Sequence, residues 1–227
     1  MSTLYIVATP IGNLEDASFR SIRILKEVDL VLCEDTRVTR KLLSHYEIHT
    51  PILSYHQHST EKDMARVFDL LSQGKNIALV SDAGTPGISD PGNELIAFLQ
   101  ETVKIIPIPG PSALTAAASI AGFPMDKFLF MGFPPHKKKR KKFFEEIAQS
   151  AHPVIFYESP YRIVKTLEEF GGILQKIAVA KIYSIVVGRE LTKKFETVYR
   201  GTVEKVLEQL QAEKIRGEFV VVVYQEK

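Results

Sequence analysis

A single cysteine, Cys33, stands in the 227 residues, so no internal disulfide can form and a reducing compartment is expected. Cys33 closes the apolar run Leu30-Val31-Leu32 and reads as a small buried side chain rather than a nucleophile. No apolar run is long enough to span a bilayer. The amino terminus has no basic segment followed by an apolar stretch and a small-residue cleavage site, so no signal peptide is expected. Neither sign of charge dominates. Lys and Arg number 29 against 27 Asp and Glu, a formal net charge of +2, so global charge demands no polyanionic partner. The first turn, Thr9-Pro10-Ile11-Gly12-Asn13-Leu14, carries one glycine where a dinucleotide fingerprint needs G-x-G-x-x-G. The usual Rossmann-type site is thereby disfavoured. No G-x-x-x-x-G-K-[ST] occurs, and no Cys/His cluster has zinc spacing, so no metal site is expected. His45, His49, His56 and His58 fall close together but share no helical face, and they read as surface or core residues. There is no solenoid-period repeat and no low-complexity tail.

What is present is a chain with 45% hydrophobic residues, enough for a sizeable core, in alternating strand-like and helix-like segments. Strands are expected at Leu4 to Ala8, Leu30 to Cys33, Ile52 to Tyr55, Ile77 to Val80 and Val103 to Ile108. Between and after them come helices: one capped by Asp16 and carrying Phe19, Ile22 and Leu25, then Val38 to Tyr46, a run behind a Thr60/Asp63 capping box, Asn93 to Gln100, and Ala113 to Ala121. Repeated β-turn-α order predicts a mostly parallel sheet covered on both faces. Past Gly122-Phe123-Pro124 the texture changes. Strand-like runs at Phe128 to Gly132, Val154 to Glu158, Ile182 to Val187, Thr197 to Arg200 and Phe219 to Tyr224 alternate with helix-like runs at Phe143 to Gln149, Ile163 to Phe170 and Val203 to Leu210. The expectation is an α/β protein of two α/β domains: residues 1–115 with a mostly parallel sheet, and 116–227 with a mixed one.

Four turns carry the chemistry, each after an apolar strand. They are the Thr9 to Leu14 turn, Cys33-Glu34-Asp35-Thr36-Arg37, the stretch from Ser81 to Gly92, and Pro109-Gly110-Pro111-Ser112. In a parallel sheet all four emerge on one edge, where open α/β sheets bind ligands. The Ser81 to Gly92 stretch is long for a connection, and its glycines and prolines give a rigid loop that a ligand's atoms can approach closely. A purely structural βα loop is the competing reading.

The motifs Val7-Ala8-Thr9-Pro10-Ile11-Gly12-Asn13-Leu14, Glu34-Asp35-Thr36-Arg37, Ser81-Asp82-Ala83-Gly84-Thr85-Pro86, Pro109-Gly110-Pro111, Phe156-Tyr157-Glu158-Ser159 and Arg189-Glu190-Leu191-Thr192-Lys193 come in this order. In that combination the chain resembles the ribosomal small-subunit RNA methyltransferase I family, within the tetrapyrrole methylase superfamily, from Leu4 to about Val223. The resemblance implies a class III methyltransferase with S-adenosylmethionine (SAM) in a cleft between two α/β domains. It also implies 2′-O-methylation of a cytidine ribose in small-subunit (16S) ribosomal RNA, and a cytoplasmic homodimer. Many such proteins carry a further helical segment after the last strand, where this sequence ends at Lys227.

Carried over residue by residue, the resemblance puts Pro10 beneath SAM, with Asp82, Ala83, Gly84, Thr85 and Ile88 along its methionine side and Ser112 and Ala113 in support. Tyr157, Glu158, Arg189 and Glu190 would approach the adenosine, and Gly217 would add backbone. Core packing is the competing role for Tyr157. A ribose hydroxyl calls for a general base or an orienting group, and the candidates are Glu34, Asp35, Glu158 and Glu190. Asp35 also reads as a helix cap, and Glu34 as a structural partner of Arg37. Arg37 or Lys193 could fix a phosphate. The run His136-Lys137-Lys138-Lys139-Arg140-Lys141-Lys142 would clamp RNA phosphates, although such runs are often solvated loops. Arg40 and Lys41 add charge on the first domain, and Tyr55, Phe133 and Tyr161 are candidates for base stacking. A tetrapyrrole methylase is the alternative function; it calls for an apolar bowl with few cations, which the lysine run disfavours. A non-catalytic SAM- or RNA-binding module is the third reading.

Overall fold

The structure is a computed structural model that describes residues 2–57, 59–177 and 182–226, so His58 lies outside the described residues. The chain divides into two compact units, Met1–Ser112 and Ala113–Lys227. The expected boundary was 115/116. The division falls three residues earlier, and the whole alanine-rich helix goes with the second sheet, against which it packs.

The first unit alternates β1 (Thr3–Val7), α1 (Phe19–Glu27), β2 (Leu30–Cys33), α2 (Thr36–His45), β3 (Ile52–Ser54), α3 (Glu61–Ser72), β4 (Ile77–Leu79), α4 (Asn93–Leu99) and β5 (Lys104–Ile108). The strands lie in the order β3-β2-β4-β1-β5, every neighbour parallel. Side chains alternate across the sheet as a two-residue period requires. Val7, Ala78 and Val80 join Ile24 and Leu25 of α1 and Leu43 of α2 in one core. Leu4, Ile6, Ile77 and Leu79 join Val67 and Leu71 of α3 and Leu95 and Leu99 of α4 in another, on the opposite face. The chain therefore leaves β1 toward one face and leaves β4, its neighbour, toward the other. That is a topological switch point, and the crevice it opens lies at the carboxyl ends of β1 and β4.

Helix starts follow local hydrogen-bond chemistry. Ser18, not Asp16, caps α1, its Oγ accepting from the Ser21 amide at 3.0 Å. Asp16 instead ends a 3₁₀ turn, Leu14–Asp16, whose cap is Asn13. Phe19, counted above among the apolar positions of α1, is 94% exposed. Asp35 caps α2, which accordingly begins at Thr36. The Thr60 amide donates to Asp63 Oδ2 at 2.7 Å, the capping box expected there.

The second unit holds α5 (Ala113–Ile120), β6 (Leu129–Phe130), α6 (Arg140–Gln149), β7 (Val154–Glu158), α7 (Ile163–Ile177), β8 (Tyr183–Arg189), β9 (Thr197–Gly201), α8 (Val203–Gln211) and β10 (Phe219–Gln225). Its sheet runs β6-β7-β10-β8-β9 and is mixed, with only β6 and β7 parallel. Phe219, Val221 and Val223 of β10 face Phe144, Phe170 and Val206 of the three helices α6, α7 and α8. Val220 and Val222 point to the other face, which α5 covers, so all five are buried. Phe144, Phe156 and Phe170 are fully buried, each contributing about 1.5–3 kcal/mol relative to exposure.

Candidate active site

The four turns meet at the carboxyl edge of the first sheet, joined by hydrogen bonds around the switch point. Thr9, just past β1, and Gly84, past β4, form an isolated antiparallel bridge. The Thr9 amide donates to the Gly84 carbonyl at 2.8 Å, and the Gly84 amide donates back at 3.0 Å. Gly84 sits at φ +85°, so a side chain there would be strained in backbone, although a Cβ would meet Ile11 Cγ2 only at an ordinary contact distance of 3.5 Å. Thr85 Oγ1 donates to the Pro111 carbonyl at 3.3 Å, tying in the turn after β5. The Asp35 amide donates to Asp82 Oδ1 at 3.0 Å, tying in the turn after β2.

Around this junction Asp82 and Ala83 are exposed, Ile88 is 41% exposed, and Pro10, Thr85 and Ser112 are half-buried. Carboxylates crowd the flank toward β2. Burial, and then Asp82 and Asp35, push the Glu34 carboxyl up, opposed by His56. Burial also raises Asp90, to about 6, with Glu34 and Asp82 adding to the effect and a Ser81 hydrogen bond opposing it. Asp35 is displaced the other way: hydrogen bonds from the Arg37 side chain and amide hold it well below the usual range. It is thus both cap and ion-pair partner, with Arg37 Nη2 at 2.6 Å. Burial raises the Cys33 thiol, which keeps it a protonated core side chain.

Asp90, a carboxylate of the Ser81 to Gly92 loop, owes its shift to burial, to Glu34 after another strand and to Asp82 in its own loop. One group here escaped the sequence reading. His56 was set aside with the other histidines. It lies just past β3, its Nε2 2.6 Å from Ser54 Oγ, close enough to Glu34 to act on its charge. The pairing Ser-x-His on an edge strand is the signal that could have found it.

In the second unit Tyr157 is half-buried. Its Oη accepts the Leu114 amide at 3.1 Å, satisfying a donor left open at the start of α5, and its ring packs against Phe130 and Phe133. Glu158 is 1% exposed. Arg162 reaches its Oε1 and the Thr166 hydroxyl its Oε2, each at 2.7 Å. A carboxylate so enclosed cannot meet an incoming hydroxyl, which corrects its place among the base candidates. Glu190, at φ +50°, accepts from Lys193 Nζ at 2.8 Å and from the Glu218 amide at 2.9 Å. Burial works against its charge, but Lys193, the Glu218 amide and Arg189 together hold it below the usual range. Lys193 is shared between Glu190 and Glu218 and has no charge to spare for a phosphate. Arg189 is spent on Glu213 at 2.8 Å and on the Arg216 and Lys214 carbonyls. In the basic run, Lys137, Lys138, Lys139, Lys141 and Lys142 are exposed, whereas Arg140 is buried against Glu169. Arg140 is therefore not a phosphate contact, and Tyr55, 4% exposed, is not a stacking residue. Among the described residues no group of three His, Cys, Asp or Glu is placed to hold a metal ion.

The family model described as Tetrapyrrole (Corrin/Porphyrin) Methylases matches residues 3–207. A protein of Halalkalibacterium halodurans named ribosomal RNA small subunit methyltransferase I is 47% identical over 223 residues, covering 97% of this chain and 75% of the relative. One of the same name from Thermotoga maritima is 41% identical, with 98% of each chain covered. The chain belongs to the ribosomal RNA small subunit methyltransferase I family of tetrapyrrole methylases. Its fold is that of the superfamily: a cobalt precorrin-4 methyltransferase superposes with a TM-score of 0.71 at 20% identity, covering 97% of this chain and 94% of that one. The Thr9–Gly84 junction stands at the switch point of the first sheet, the kind of position at which open α/β sheets generally bind ligands. Among the described residues no helix is long and apolar enough to cross a membrane.

Proposed function

We propose that this chain transfers a methyl group from SAM to the ribose 2′-hydroxyl of a cytidine in small-subunit (16S) ribosomal RNA. The observation that carries the reading is the joining of four turns around the Thr9–Gly84 bridge at the switch point, in a chain whose relatives are named as methylases of that RNA. The residues fit the cofactor. A sulfonium and an ammonium suit the exposed carboxylate of Asp82 and its acidic neighbours. Apolar Ile88 and the backbone of Ala83 and Gly84 offer contact without bulk. SAM supplies the electrophilic methyl.

The protein's part is positioning and proton handling. Pro10, Asp82, Ala83, Gly84, Thr85 and Ile88 hold the methionine side, with Ser112 and Ala113 in support. In the second unit, Tyr157 and the backbone near Glu158, Arg189 and Glu190 are the proposed cofactor contacts. Glu34 is the carboxylate suited to take the hydroxyl proton as the methyl passes from the sulfonium sulfur to the ribose oxygen. It is partly accessible and its basicity is raised, whereas Asp35, Glu158 and Glu190 are each bound to cations or amides. Arg37, 82% exposed in its side chain, and Lys137, Lys138, Lys139, Lys141 and Lys142 are the proposed phosphate contacts. A cytoplasmic homodimer belongs to the same reading.

A transfer assay separates the alternatives. Purified chain is incubated with tritiated SAM and either small ribosomal subunits or a tetrapyrrole such as uroporphyrinogen III. Label in RNA alone is expected. Label in the tetrapyrrole alone establishes the small-molecule alternative, and SAM binding without transfer to either establishes a binding module.

A further inference from the structure

Two arginines in the second unit, the buried Arg140 and the half-buried Arg162, fasten adjacent loops together. Arg162 Nη1 donates to the Pro134 carbonyl at 3.1 Å while Nη2 meets Glu158 Oε1 at 2.7 Å. Arg140 Nη1 donates to the next carbonyl, Pro135, at 3.1 Å. Its Nε binds Glu169 at 2.7 Å and its Nη2 binds Thr166 Oγ1 at 2.9 Å, and Thr166 donates in turn to Glu158. The Tyr157 amide adds a third tie, to the Gly132 carbonyl at 2.8 Å. Every charge in this network has an opposite partner, as burial requires.

The outer side of the same loops is unlike an ordinary solvated surface. Tyr161, beside Arg162, is 95% exposed, and Phe133, beside Pro134, is 51% exposed. The Arg162–Pro134 bond brings their segments together. Lys137, Lys138 and Lys139 follow on the same loop, exposed and without an ion pair to any described residue. An aromatic face suits a base that has left its stack, and unpaired lysines suit phosphates. In duplex RNA the bases are stacked on each other and cannot use the aromatics.

Building on the RNA reading, we propose that Phe133, Tyr161 and Lys137 to Lys139 form a preformed platform for single-stranded RNA, with Arg140 and Arg162 as the residues that position it. Preformation matters because ordering a loop on binding subtracts from affinity. The three platform lysines contribute about −2 to the slope of log Kobs against log salt, at about −0.7 per phosphate for single strands.

The test is fluorescence anisotropy with a short labelled single-stranded RNA and the same sequence as a duplex, across a salt series. The single strand is expected to bind at least about tenfold more tightly than the duplex. Tyr161→Ala and Phe133→Ala, both at exposed positions, should each weaken it by about tenfold. Lys137→Ala/Lys138→Ala/Lys139→Ala should flatten the salt slope by about 2. Arg162→Lys should weaken the wild type but add little to Tyr161→Ala, a non-additivity that general destabilisation would not produce. Equal affinity for duplex, or alanine variants that bind as the wild type does, overturns the platform. Methylation of small subunits is measured in parallel. If it proceeds while the platform variants bind normally, only the platform fails. If the single strand binds as expected but the subunits stay unmethylated, the RNA methylation reading fails and the platform stands.

Discussion

Asp82 Oδ1, after β4, accepts the backbone amide of Asp35, after β2, at 3.0 Å. One carboxylate thereby fixes the start of α2 on a residue that stays exposed to solvent. Asp82→Asn keeps an oxygen acceptor but removes the charge. It should fold with a melting temperature close to wild type and bind SAM at least about tenfold more weakly by calorimetry. Unchanged SAM affinity would remove Asp82 from the cofactor contacts.

Asp90 gives the first unit a pH signature. Its carboxyl titrates near 6, above the ordinary 3.8, because burial and the neighbouring Glu34 and Asp82 disfavour its charge. A raised folded-state value means the native state holds the proton more tightly. The resulting stabilisation is fully present below about 3.8 and is lost as pH rises through 6. Asp90→Asn should flatten that part of the stability–pH curve and leave the protein more stable than wild type at pH 7.5. Urea unfolding at pH 4, 6 and 7.5 checks it.

Glu158 is predicted to be structural. Glu158→Ala strands Arg162 and Thr166, and breaking a buried pair in this way costs about 3–5 kcal/mol. Transfer per folded molecule at saturating RNA and SAM, with the folded fraction taken from circular dichroism, should stay within a few-fold of wild type. A loss of 10² or more per folded molecule would return Glu158 to the chemistry.

Gly217 sits at φ +85°, and a Cβ there would lie 2.3 Å from the Glu190 carboxyl carbon. Gly217→Ala should therefore lower stability by more than 1 kcal/mol, from positive-φ strain plus displacement of the Glu190 carboxylate from the Glu218 amide. Thermal melts of the variant beside Glu190→Ala test it. If the clash is the main cause, Gly217→Ala costs less in the Glu190→Ala background.

The alternation of elements was legible in the sequence because β1, β2, β4 and β7 are apolar runs bounded by turn residues, and because Thr60 with Asp63 announces a helix start by local chemistry alone. The meeting of four turns on one edge followed from parallel order. Strand order did not, since nothing local says that β4 inserts between β1 and β2. The fate of charges was legible only where partners are close in sequence, as with Asp35 and Arg37. Arg140 sits in a run of lysines and looks like them. Its burial depends on Glu169 and Thr166, a helix away. Lys193 was misread for the same reason, its second carboxylate being Glu218 on the approach to β10.

The central claim is tested most directly by nucleoside mass spectrometry of small-subunit RNA after incubation with the chain and deuterated-methyl SAM, beside the Glu34→Gln variant. The predicted result is one labelled nucleoside, 2′-O-methylcytidine, formed at least about 10²-fold more slowly by Glu34→Gln. A label on a base, or none in RNA at all, would contradict the ribose 2′-O assignment, and a Glu34→Gln rate equal to wild type would contradict the proton-accepting role.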